Sequence, residues 1–136
     1  MRFKSYKLAL LILAALALVF FSLGATTEEP ANTNTEPPIQ SGEVTVKMTK
    51  DGFIPDKIHV TAGTKVRFVN EDSFWHWPAS DIHPSHSIYP EFDPREPIAP
   101  QTEWTFVFGK VGVWGMHDHL APYIEGEITV SPATSP

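Results

Sequence analysis

The chain has 136 residues, 10 basic and 16 acidic side chains, a net charge of −6 with neutral histidine, and no cysteine. That length fits one domain, and the acidic balance argues against nucleic acid as a partner. The absence of thiols excludes disulfides and any thiolate metal ligand.

Residues 1–25 differ from the rest. Arg2, Lys4 and Lys7 precede an unbroken apolar run from Leu8 to Phe21, and Ser22-Leu23-Gly24-Ala25 follows. A basic start, an apolar stretch and small residues make the pattern of an export signal peptide. The 18 mostly apolar positions from Leu8 to Ala25 are also long enough for an N-terminal membrane anchor. Leu23 is a poor residue three positions before a cut after Ala25, so both readings stand. In either case the expected location is extracytoplasmic: periplasmic, cell-surface or secreted. Without residues 1–25, 7 basic residues face 16 acidic ones, a net charge of −9. Residues 26–42, with Glu28-Glu29-Pro30 and Glu36-Pro37-Pro38, have little to bury and read as a disordered linker.

From Glu43 the pattern has period two, and a single domain is expected over residues 43–132. Val44, Val46 and Met48 alternate with polar neighbours, as on a half-buried strand. Ile58 and Val60 form a second short strand, Val66 and Phe68 a third, and Trp104, Phe106 and Phe108 a fourth. The stretch 113–119 and the alternating Ile124, Ile128 and Val130 add two more. Between the third and fourth strands, residues 71–101 carry six prolines (Pro78, Pro84, Pro90, Pro94, Pro97, Pro100), which disfavour a helix or a central strand. A loop of this length in a small domain is expected to have a function. Its Trp75, Trp77, Ile82, Ile88, Tyr89 and Phe92 would let it pack onto the body of the domain. Short strands, frequent turns and no helical period predict an all-β sandwich.

Five of the six histidines fall in two groups: His76, His83 and His86 in the long loop, His117 and His119 on the fifth strand. Residues two apart on a strand project from one face. His117 and His119 therefore make half of a metal site. Met116 and Asp118 then point to the opposite, inner face with Trp114. Two ligands leave an ion half-coordinated, so the loop is expected to fold back and bring His83 and His86 to the pair, with His76 at the edge. All five are candidate metal ligands. The sixth, His59, lies on the polar face of its strand and is expected to be solvated. Asp118, Glu91 and Asp93 are candidates for orienting a ligand ring from behind, or are simply solvated carboxylates. Trp75, Trp77 and Trp114 would shield the ion or, for at least two of them, fill the core.

Gly52-Phe53-Ile54-Pro55, Ile58-x-Val60, Gly63-Thr64-x-Val66 and Asn70-x-Asp72-x-x-x-His76 resemble the first half of a cupredoxin. Gly112-Val113-Trp114 and Gly126-Glu127-Ile128-Thr129-Val130 resemble its last two strands. The resemblance covers about residues 43–131 outside the loop. It implies a Greek-key β-sandwich with copper at one end and His76 as the first ligand. The remaining ligands of a blue site do not carry over. Asp118 stands at the cysteine position, Ala121 at the second histidine and Ile124 at the methionine. Without the thiolate no blue His₂Cys centre forms. Trp114-x-x-His117-x-His119 is instead similar to the His-x-His pairs of multicopper oxidases, which lie on the opposite face of the strand.

An all-imidazole donor set suits Cu(II) first and Zn(II) second. The expected function is copper binding and handling outside the cytoplasm. The alternatives are a mononuclear copper oxidoreductase or electron-transfer protein, and a zinc-binding or purely structural interaction domain. No acid–base pair or nucleophile constellation supports hydrolysis. The expected partner is a metal ion, with membrane attachment only through the N-terminal segment.

Overall fold

The computed structural model describes residues 36–133. The signal or anchor read from residues 1–25, and most of the linker, lie outside the described residues. Nine strands and no helix make up the described part. They are β1 (Ile39–Gln40), β2 (Glu43–Thr49), β3 (Gly52–Ile54), β4 (Lys57–Thr61), β5 (Thr64–Asn70), β6 (Pro78–Ser80), β7 (Glu103–Phe108), β8 (Gly112–Asp118) and β9 (Ala121–Ser131). One sheet has the order β1-β4-β9-β8-β6 and the other β3-β2-β5-β7, both mixing parallel and antiparallel pairs. This is the expected all-β Greek-key sandwich.

The core follows from the alternation. Val44, Val46 and Met48 of β2 face Val66 and Phe68 of β5, and across the sandwich lie Ile58, Val60, Met116, Ile128 and Val130, all buried. Each such side chain contributes roughly 1.5–3 kcal/mol by leaving water. The residues between β5 and β7 join this core through Tyr89, Phe92 and Ile98. Phe92 lies within a ring-centroid distance of 5.4 Å of Phe68 and 5.0 Å of Phe108. The long connection is thus fastened from beneath, as its aromatic content predicts.

The structure adds three short strands to the sequence reading. Ile39–Gln40, placed by composition in the linker, pair in parallel with His59–Val60. That pairing explains His59, which is buried rather than solvated. Its Nε2 lies 2.7 Å from Ser131 Oγ and its Nδ1 3.0 Å from the Glu36 carboxylate. Gly52–Ile54 closes a hairpin onto β2. Pro78–Ser80 forms an edge strand on β8, with Ala79 opposite His117. Proline is tolerated there because it opens the strand and the strand lies at the sheet edge.

Candidate metal centre

Strand β8 turns Met116 and Asp118 inward, where both are fully buried, and His117 outward. An irregularity in pairing at His117/Asp118 ends the regular ladder. His119 follows, its backbone N–H donating to the Trp77 carbonyl at 2.8 Å. The backbone of β6 next door leads directly into the loop. Asp81 N–H donates to Gly115 O at 3.0 Å, His86 N–H to Ile82 O at 2.8 Å and Ile88 N–H to Asp81 O at 2.9 Å. These bonds curl residues 81–88 over the outer face of β8. The Ser80 hydroxyl donates to the His86 carbonyl at 2.9 Å from below.

Four histidines meet there. His83 Nδ1 lies 3.3 Å from His117 Nε2, and His86 Nε2 lies 2.9 Å from His119 Nδ1. Ring centroids are 4.7 Å apart for His83 and His119 and 5.3 Å for His86 and His117. One nitrogen each from His83, His117 and His119 falls within 4.8 Å of the other two, close enough to hold a metal ion. With bonds of about 2 Å, two nitrogens on one ion lie roughly 2.8–3.3 Å apart in square or tetrahedral arrangements. The His83–His117 and His86–His119 contacts fit that span, and the three nitrogens that come together as a group are those of His83, His117 and His119, without His86. The donor set is all imidazole, which suits copper or zinc.

Carboxylates select the tautomers. His117 Nδ1–H donates to Asp81 Oδ1 at 3.0 Å, which leaves its Nε2 lone pair facing inward. His86 Nδ1–H donates to Asp93 Oδ2 at 2.7 Å, which frees its Nε2 in the same way. Such carboxylates behind a ligand fix ring orientation and raise ligand basicity. His83 and His119 turn Nδ1 toward the centre, opposite the Nε2 atoms of His117 and His86. Burial, reinforced by repulsion from His86, His83 and His117, pushes the His119 imidazole below its ordinary pKa against a smaller opposing pull from Asp93. That shift favours the neutral ring, the form that can bind a metal. Asp93 is pushed up by burial, but the hydrogen bonds from His86, Trp77 and the Arg95 N–H outweigh it and hold the carboxyl below its usual range. It stays ionised behind His86.

Of the three tryptophans singled out, Trp77 lies against the site, its ring 4.6 Å from that of His119 and its Nε1–H donating to Asp93 Oδ1 at 2.8 Å. Trp114 packs on the core beside Tyr89. Trp75 is 54% exposed and does neither. Glu91 pairs with Lys110 at the surface, away from any imidazole.

His76 is placed differently from the other four. Its Nδ1 lies 2.5 Å from Asp118 Oδ2 and its Nε2 3.3 Å from Asp72 Oδ2, so carboxylates engage both ring nitrogens. Asp118 occupies the position where the resemblance would place cysteine, and it bonds the imidazole directly. Asp118 accordingly orients His76 and not one of the clustered rings. Its other oxygen accepts the N–H groups of Trp77 and Leu120, both at 3.0 Å.

Asp81 and Gly115 are the site residues that sequence reasoning missed. A Cβ on Gly115 would stand 2.2 Å from Asp81 Oδ2, far inside contact distance. The missing side chain is what lets Asp81 reach His117. Replacing Gly115 by Ala is therefore expected to displace the Asp81 carboxylate and weaken metal binding about 10–100-fold, the usual effect of losing a carboxylate behind a ligand. Competitive copper titration checks this, with Asp81→Asn expected to reproduce the loss and far-ultraviolet circular dichroism to stay unchanged.

The sandwich architecture, with an imidazole cluster on the outer face of β8 that could hold a metal ion, is that of a cupredoxin-type β-sandwich. The sequence profile of the cupredoxin-like domain matches residues 11–130, and the chain belongs to that family. No curated protein matches. Among solved structures, the purple cupredoxin of Nitrosopumilus maritimus is similar at 22% identity and a TM-score of 0.57, over 65% of this chain and 99% of that one. A reduced amicyanin variant is similar at 18% identity and a TM-score of 0.57, over 66% and 83%. The copper-containing nitrite reductase of Thermus scotoductus is similar at 25% identity and a TM-score of 0.57, over 78% of this chain but 26% of that one.

Proposed function

We propose that this protein binds copper outside the cytoplasm through a non-blue, all-histidine site, and that its role is to hold and hand on the ion. The observation that carries this is the convergence of His83, His86, His117 and His119, with Asp81 and Asp93 fixing two of the rings. A nitrogen-only, sulfur-free donor set of this kind ranks Cu(II) above Zn(II) at equal geometry. His76 would stand at the edge as a structural partner of Asp118. The basic-then-apolar opening of the chain supports export, with or without retention in the membrane. When bound, copper would supply a Lewis-acidic, redox-capable centre. The chain's own contribution is to orient four imidazoles and to cover one side with Trp77.

Metal analysis of the purified full chain, followed by the copper electron paramagnetic resonance and visible spectra, tests this. One equivalent of copper with nitrogen hyperfine structure and only weak ligand-field absorption is expected. The strong visible band of blue proteins arises from thiolate charge transfer, and the chain has no cysteine. An intense band near 600 nm, or a protein that takes up zinc and refuses copper, would overturn the reading.

A further inference from the structure

The four clustered histidines are not equivalent. His117 is 2% exposed and His86 5%, each with a carboxylate behind it, and His119 is half-covered by Trp77. His83 is exposed, as are Ile82, Pro84 and Ser85 around it. No carboxylate contacts its ring, and no backbone hydrogen bond holds His83 itself among the described residues. The loop is fastened at Asp81, Ile82, His86 and Ile88, on either side of His83 but not at it. Three imidazoles are buried or half-covered, and the fourth stands on the exposed part of the loop.

From this we infer that His83 is the exchange ligand: the ion enters and leaves on its side, and a partner presenting an exposed imidazole takes the ion by replacing it. The inference rests on the copper reading above and adds the route and the partner chemistry. The step is a ligand substitution. A bond forms between the incoming imidazole nitrogen and the ion, the bond from the ion to His83 Nδ1 breaks, and the oxidation state does not change. The released His83 leaves as a neutral imidazole that keeps its Nε2 proton, the incoming imidazole binds through its unprotonated nitrogen, and no net proton is gained or lost. His117 and His86 cannot lead this exchange. Their rings are enclosed, and their Nδ1 protons are committed to Asp81 and Asp93.

The test uses the copper-loaded full chain and free imidazole as the probe. Transfer of copper to excess imidazole, followed by stopped-flow absorption, should be first order in the competitor. In His83→Ala, copper affinity should fall at least about tenfold, more than for loss of an outer partner at its mildest. Added imidazole should restore most of that affinity and change the nitrogen hyperfine pattern. His117→Ala should bind weakly and gain little from imidazole, because its vacancy is enclosed. A transfer rate independent of competitor, equal imidazole rescue of both variants, or no effect of His83→Ala would overturn the inference while leaving copper binding intact. A parent protein that fails to bind copper would instead remove the reading beneath it.

Discussion

Replacing His117 and His119 together by Ala is expected to abolish tight copper binding. The two rings supply His117 Nε2 and His119 Nδ1, each the near neighbour of a loop nitrogen at 3.3 and 2.9 Å. Without them His83 and His86 remain, one on the exposed part of the loop and one fixed by Asp93, with no third imidazole in the cluster. Even an outer partner is worth about 10–100-fold in affinity, so the loss of two direct ligands should exceed about a hundredfold. The backbone of β8 is held by β6 and β9 whatever side chain stands at 117, and circular dichroism of the double variant should match the parent. Equilibrium titration against a copper chelator reads the result. A double variant that holds copper as tightly as the parent would show that the ion sits elsewhere.

The parts of this fold that were legible beforehand are those in which one face of a strand is buried. Val44, Val46 and Met48, or Ile124, Ile128 and Val130, repeat at period two because the pleat sends alternate side chains to opposite faces. The same rule puts Met116 and Asp118 inside and His117 outside. The short strands escaped it. Two or three residues, as in Ile39–Gln40 or Pro78–Ser80, are too few to show a period, and their pairing depends on partners distant in the chain. The meeting of the loop with β8 was foreseeable from ligand arithmetic and from Tyr89 and Phe92, which are apolar enough to pin the loop down. Its fine structure was not. Asp81 reaches His117 only because Gly115 lacks a Cβ, and no local pattern links positions 34 residues apart in sequence. His76 illustrates the opposite limit. Its spacing after Asn70-x-Asp72 matches the family, yet its surroundings depend on what stands at 118, and a carboxylate there bonds the ring that a thiolate would share with a metal.

That buried bond sets the second large effect. Asp118→Ala is expected to destabilise the metal-free domain by about 3–5 kcal/mol, the range for removing one partner of a buried pair. Asp118 is fully buried and His76 4% exposed, so water cannot replace the lost contact. Three donors lose their acceptor at once: the His76 ring at Nδ1, and the backbone N–H groups of Trp77 and Leu120. A buried donor left unpaired costs about 1–3 kcal/mol, which for His76 and Trp77 alone reaches the expected range. Leu120 is half exposed and can turn to solvent. The damage should spread to the metal centre, because Asp118 ties together the two segments that carry it: Trp77 beside His119 on one side, the turn after β8 on the other. Urea unfolding of the metal-free protein measures the first effect, and copper titration of the folded fraction measures the second. Asp118→Asn keeps an acceptor for the two backbone groups and should lose distinctly less stability than Asp118→Ala. Equal losses would mean that the His76 contact carries the whole effect and that the backbone bonds carry none.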